Sequence, residues 1–234
     1  MPSRELIAEH KIVQGIARAV LDELTLSISP EDSEFTIVEK SASGLRSRGA
    51  PDTWYYDCPA FVLLGARSCL SISGSDYQPA KEKVGSYNLV TVDLSPVLAG
   101  RWGDCARSFY VEDGTVTNMP TSPEFSIGQL FLASLHAQML NTVTPQTSFH
   151  ELWEWANRKI TEQGFENLDF LGNVGHSIAT TRDARQYIEK GNMALLGGVP
   201  FFTFEPHVRE LSGGWGFKHE NIFFFNNEQL LEEL

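Results

Sequence analysis

A chain of 234 residues can bury one large core or two small ones, and 42% apolar with 21% charged residues is ordinary globular usage, not that of a disordered chain. Lys and Arg number 18 against 30 Asp and Glu, a net charge of -12 that argues against nucleic acid or an anionic membrane surface as a partner and favours a cation or neutral polar substrate. Cys58, Cys69 and Cys105 lack CxxC spacing, the N-terminus lacks a signal-peptide core, and no apolar run reaches the ~18 residues that cross a bilayer. The expectation is a protein of a reducing cytoplasm.

In chain order, Leu6, Ile7, His10, Val13, Gln14, Ile16, Ala17, Val20, Leu21 and Leu24 recur at helical spacing and predict a helix over about 3–26. Ser29-Pro30 reads as the N-cap and first position of a second helix that ends near Gly44 or Gly49. Ala60 to Leu70 reads as extended and Tyr87 to Leu94 as a buried strand; a turn at Ala99-Gly100 leads to another strand from Asp104 to Val111. Ile127, Leu130, Phe131, Ser134, Leu135 and Gln138 mark a helix face, and Ser148-Phe149-His150-Glu151 is a capping box opening a helix that Gly164 stops. Two further strands, Pro200 to Glu205 and Trp215 to Phe225, flank Ser212-Gly213-Gly214. The order helices, strands, helices, strands describes one α+β domain whose halves each give helices and part of a sheet.

Asp93 ends one predicted strand and Asp104 starts the next, so antiparallel pairing brings two carboxylates together. A cation, a shared proton or Arg107 could compensate them. Glu205 in PFFTFEP and Glu220 in FKHENIFFF are acids set in apolar strands, costly to bury alone, and His176 lies in GNVGHSIA. Four carboxylates and one imidazole can hold two divalent cations of the manganese, cobalt, iron or zinc class. Gly175-His176-Ser177-Ile178-Ala179 also has the look of a serine-hydrolase elbow, although the sequence before it makes a poor central strand. Cys105, following Asp104, should face the opposite side of its strand as a packing residue. Trp54, Tyr55 and Tyr56 read as core aromatics that can also line a pocket.

The set Asp93 (VDLSP), Asp104 (WGDCARSF), His176 (GHSIA), Glu205 (FTFEP) and Glu220 (FKHEN) resembles, in order and approximate spacing, the metal ligands of the pita-bread metallopeptidases, the superfamily of methionine aminopeptidase, proline-specific aminopeptidase, prolidase and creatinase. The resemblance implies an α+β pita-bread fold with two pseudo-symmetric halves around a curved, mainly antiparallel sheet. It implies residues 1–234 as a single catalytic domain without the N-terminal domain of creatinase-type relatives. It further implies two divalent ions, manganese foremost, with Asp93 on one, His176 and Glu205 on the other, and Asp104 and Glu220 bridging. A metal-activated water would attack a peptide or amide carbonyl while Glu205 moves the proton and His176 serves at the reacting metal. Lys218, where the family usually has arginine, would orient Glu220.

The sequence departs from that pattern at two histidines that normally contact substrate. The best local matches are Asp76 (SDYQP) and Asp183. Losing neutral donors beside a developing oxyanion removes about 3 kcal/mol each in other acyl-transfer enzymes. With Tyr77 and His207 as further substrate-facing candidates, two acids would favour a cationic group. Three classes of function follow: an aminopeptidase or Xaa-Pro-type dipeptidase acting on small peptides; a related enzyme cleaving a C-N bond or running a lyase reaction on a small cationic amide or metabolite; and a non-catalytic scaffold, disfavoured because it has no use for four costly acids. A monomer or homodimer suits any of them.

Overall fold

The computed structural model describes residues 1–234. The first half opens with helices α1 (Arg4–Ser27) and α2 (Glu34–Ser47). Strands β1 (Asp52–Thr53), β2 (Ala60–Leu64), β3 (Asn88–Leu94), β4 (Pro96–Leu98), β5 (Arg101–Trp102), β6 (Cys105–Glu112) and β7 (Thr115–Thr117) follow. The second half has helices α3 (Pro123–Thr142) and α4 (Phe149–Glu162), then β8 (Phe165–Asn167), β9 (Phe202–Phe204), β10 (His207–Glu210), β11 (Gly216–Lys218), β12 (Asn221–Phe225) and β13 (Leu231–Glu233). The predicted α+β order is the observed one.

The first half carries one regular antiparallel sheet, β2-β3-β6-β7, with the β-branched run of β3 buried on both sides at its centre. The apolar stripe of α1 and the inner face of α2 close over it in a core that includes Val20, Leu24, Ile37, Val90, Val92 and Phe109. The second half builds its own core from α3, α4 and short antiparallel strands, with Phe125, Phe149, Phe204 and Phe217 among its members. A third cluster, Trp54, Trp102, Ile178, Phe201, Ile222 and Phe224, joins the halves beneath the cavity described below.

Several boundaries differ from the sequence reading. α2 starts at Glu34, with Ser33 as N-cap and Thr36 completing the capping box. Ser29 instead donates its backbone N–H and its hydroxyl to Asp32 Oδ2, which closes a turn ahead of the helix. The extended stretch from Ala60 stops at Leu64 and tightens into a 3₁₀ turn over Gly65–Cys69. The expected strand from Trp215 to Phe225 is two strands separated at His219 and Glu220. α3 buries Phe125, Leu132, His136 and Met139 beside the expected Phe131 and Leu135, leaving Ile127 and Leu130 exposed. Its sequence is apolar on nearly every side, so periodicity could not choose the face. Close packing of Gly128 on the Phe217 ring, with no room for a Cβ, sets its rotation. The α4 capping box and the stop at Gly164, whose φ is +80°, form as read.

Candidate metal centre

Asp93 lies in β3 opposite Ala106, and Asp104 sits one residue before β6. Asp104 is fixed from α1: its backbone N–H donates to Gln14 Oε1 at 2.9 Å, and Gln14 Nε2 donates to its carbonyl at 2.7 Å. That contact explains why a glutamine lies fully buried within an apolar helix stripe. Trp54 stacks on Trp102 and donates its indole N–H to the Gly103 carbonyl at 3.0 Å, holding the same segment from the other side.

The second half supplies the rest. Gly175 has φ +147°, and a Cβ there would fall 2.2 Å from the Thr203 carbonyl, so only glycine lets this segment lie against β9. Next to it, the His176 N–H donates to Thr203 Oγ1 and the Thr203 N–H donates to the His176 carbonyl. The Glu205 N–H donates to the Val174 carbonyl, which sets Glu205 directly after β9. Glu220 bridges Ala106 at the break between β11 and β12. Arg107 does not neutralise the carboxylates. Its guanidinium donates to the backbone carbonyls of Ala106 and Glu220 and to Asn221 Oδ1, clamping the break from outside.

The donors form two trios, Asp104 with His176 and Glu220, and Asp93 with Glu205 and Glu220, the ligand atoms of each lying within 4.8 Å of one another. Glu220 belongs to both, and His176 of the first trio also lies 3.7 Å from Glu205 of the second. In the first trio, His176 Nδ1–H donates to the Ser177 carbonyl at 3.0 Å. That fixes the tautomer and turns the Nε2 lone pair toward Asp104 Oδ2 at 3.4 Å and Glu205 Oε1 at 3.7 Å. Burial, followed by the charge of Arg185, lowers the His176 pKa to about 3, so the ring is neutral. Asp104 Oδ2 and both carboxylate oxygens of Glu220 are buried without any hydrogen-bond partner. Burial and the neighbouring acids push the pKa values of Asp104 and Glu220 well above the carboxylate range. Buried carboxylate oxygens and an imidazole lone pair converging on one point, each costly to keep charged alone, fit a divalent cation.

In the second trio the Lys218 ammonium contacts Asp93 Oδ2 and lies 3.5 Å from Glu205 Oε2. Burial opposes its charge, but Asp93, Glu205 and Glu220 outweigh that and raise its pKa well above the usual lysine value. Lys218 therefore pairs with Asp93 and Glu205, whereas the sequence had suggested that it orients Glu220.

A cavity of about 280 Å³ opens onto these groups, walled by Trp54, Tyr55, Asp93, Asp104, His176, Tyr187, Glu205, His207 and Lys218 among others, with Leu70, Phe170 and Leu171 at its mouth. Asp76 and Asp183 are both exposed and neither lines it, because one sits in a surface turn and the other on a 3₁₀ turn facing solvent. Tyr77 is a core residue, its hydroxyl bonded to the Val62 carbonyl and N–H and its ring against Phe61. His207 does line the cavity; its Nε2–H donates to the Ser68 carbonyl, and burial, then the Lys218 charge, lowers its pKa to about 4. His219 faces away, edge-on to His136. Ser177 accepts from the Gln186 N–H and is followed by no helix, so the elbow reading fails. Cys105 is buried in the first core, as its strand position predicted.

Arg185, missed in the sequence reading, enters the cavity wall with its guanidinium 4.9 Å from the Trp54 ring and 5.2 Å from Tyr187. The signal was available, since Arg182 and Arg185 are paired cations in an acidic chain. Both predicted acids lie outside the cavity, so neither makes the substrate contact expected of it; the charges that do line it beside the candidate ligands and Lys218 are Asp169 and Arg185.

The profile of metallopeptidase family M24 matches residues 8–226. No curated protein matches in sequence. Among solved structures, an X-Pro aminopeptidase from Thermotoga maritima superposes with TM-score 0.82 at 19% identity over 99% of this chain and 61% of its own. A prolidase from Thermococcus sibiricus gives 0.80 at 18% over 100% and 59%, and a Xaa-Pro dipeptidase from Bacillus anthracis 0.81 at 19% over 100% and 61%. The fold is theirs, and the chain spans about six-tenths of their length.

Proposed function

The chain belongs to metallopeptidase family M24, a family of hydrolases, and from that premise we propose that it is a divalent-metal-dependent peptidase acting on short peptides, with Xaa-Pro dipeptides the first class to try. The observation that carries this reading is the trio of unpartnered carboxylate oxygens on Asp104 and Glu220 facing the neutral His176 Nε2. Asp104, His176 and Glu220 would hold the ion. A bound ion of this class polarises a carbonyl and acidifies a water.

The chain's own residues supply the remaining steps. Glu205 lies on the cavity wall beside His176, and burial raises its pKa, which suits a carboxylate that takes a proton from the attacking water and returns it to the leaving amine. Arg185, backed by aromatic rings, is the group for a substrate carboxylate. Trp54, Tyr55 and Tyr187 offer flat apolar walls for the rest of a small substrate, and a cavity of about 280 Å³ suits a dipeptide better than a polypeptide. The solved relatives carry the names prolidase, X-Pro aminopeptidase and Xaa-Pro dipeptidase, which supports the choice of peptide.

The test is hydrolysis of a panel of Xaa-Pro and other dipeptides by manganese-loaded protein. Activity should vanish with a chelator, return with metal, and fall by at least about a thousandfold in Asp104→Ala, the several kcal/mol that a Lewis-acid metal supplies. Hydrolysis indifferent to both treatments would exclude this centre as its source.

A further inference from the structure

We propose that the Lys218 ammonium is a built-in second cation, so that this centre takes one tightly held divalent ion, in the Asp104–His176–Glu220 trio, instead of the two expected from its ligand set. The inference rests on the metallopeptidase reading above and adds the number and place of the ions.

The two trios share Glu220, both of whose oxygens are buried and unpartnered, and differ in the rest. In the first, Asp104 Oδ2 is likewise buried and unpartnered, and the adjacent imidazole turns a lone pair toward it. Asp104 is 3% exposed and Glu220 0%. In the second, the oxygens that distinguish it, Asp93 Oδ2 and Glu205 Oε2, already face an ammonium. An ion entering there must displace the contacts that Lys218 makes.

The position of Lys218 is built from the backbone upward. Its N–H donates to Ser108 Oγ at 2.9 Å and its carbonyl accepts from the Ser108 hydroxyl at 3.0 Å, fastening β11 across β6. β11 pairs with β10 so that Lys218 lies opposite His207, and both line the cavity. Alternation along the chain keeps Lys218 and Glu220 on the site side while His219 faces His136. Swinging the ammonium away would give up both of its carboxylate contacts for a lysine side chain that is 18% exposed.

Metal content is the direct readout. The wild-type protein, equilibrated with excess manganese, desalted and analysed for metal, should hold one ion per chain and show the six-line electron paramagnetic resonance spectrum of an isolated manganese(II). Lys218→Met keeps the stem length and removes the charge; it should bind a second ion and show an exchange-coupled spectrum. Asp93→Asn should keep the single ion, and Asp104→Asn should lose it. Two ions in the wild type with dissociation constants within tenfold of each other, or an unchanged count of one in Lys218→Met, would overturn the proposal and leave the peptidase reading standing. No retained ion in the wild type would overturn both.

Discussion

The two halves of the molecule deliver their groups to the centre by different means. The first half holds Asp93 within an unbroken ladder, Asn88–Leu94 against Cys105–Val111, and sets Asp104 one residue before it begins. The second half places its groups where ladders stop: His176 on an isolated bridge, Glu205 just past β9, Glu220 at the break between β11 and β12. A regular ladder can aim only alternate residues at one place. Bringing three more donors to the same point requires backbone that leaves the ladder and is held by separate contacts. Position comes from register in one half and from individual hydrogen bonds in the other.

The comparison predicts that the second half fails at single atoms. Gly175→Ala is the largest case: its Cβ would fall 2.2 Å from the Thr203 carbonyl, at a φ that side chains rarely adopt. The expected loss is more than about 3 kcal/mol in denaturant unfolding, with metal retention lost as His176 moves away from Asp104 and Glu220. Stability within about 0.5 kcal/mol of wild type would mean that this approach does not specify the irregular half.

The first half has one comparable weak point, at the end of its ladder. Gln14→Leu keeps the apolar stripe of α1 but leaves the Asp104 N–H and carbonyl without their buried partners. The cost should be about 2.5 kcal/mol, accompanied by weaker metal binding. If stability falls while metal affinity stays unchanged, Gln14 supports the fold and does not position Asp104.

Arg185 tests the cavity wall in place of the frame. Arg185→Ala should raise KM for a dipeptide with a free carboxylate roughly thirtyfold, the ~2 kcal/mol of a hydrogen bond to a charged group, and change KM for the corresponding amide little. Equal losses on both substrates would remove it as a carboxylate site.

How much could be read in advance follows the same division. Asp93, Asp104, Glu205 and Glu220 are legible because an acid in an apolar strand demands a partner, and that demand is visible in one dimension. The α4 capping box and the β3–β6 pair are legible because each depends on residues close in sequence. Asp76, Asp183 and Tyr77 were read into a substrate site from local spacing alone. Residues 71–79 and 179–187 follow irregular paths, where an offset of two separates solvent-facing Asp183 from cavity-lining Arg185. The pairing of Lys218 with Asp93 and Glu205 was illegible because it depends on how two distant strands meet, although the residue itself could be singled out. Gln14 left a visible mark, a polar residue in an apolar stripe, whose partner 90 positions away could not be named.

The smallest effect concerns the back of the second half, where His136 packs edge-on against His219 and donates Nε2–H to the His219 carbonyl at 3.2 Å. Burial lowers the His136 pKa to about 3. The unfolded chain takes up this proton below about pH 6.5 and the native chain does not, so between pH 3 and 6.5 the unfolded state binds more protons and stability rises with pH. The contribution is fully present above the unfolded value and is lost as pH falls. His136→Phe removes that proton from the balance while keeping a ring against Phe204 and Phe223. The metal-free variant should lose about 1.2 kcal/mol less than wild type when unfolding is compared at pH 7 and pH 5.5. The acids of the centre titrate in the same range but are common to both proteins, so the difference isolates the histidine. Identical pH dependence in the two would mean that His136 takes up its proton in the folded state, and that the packing behind the centre is open enough to admit it.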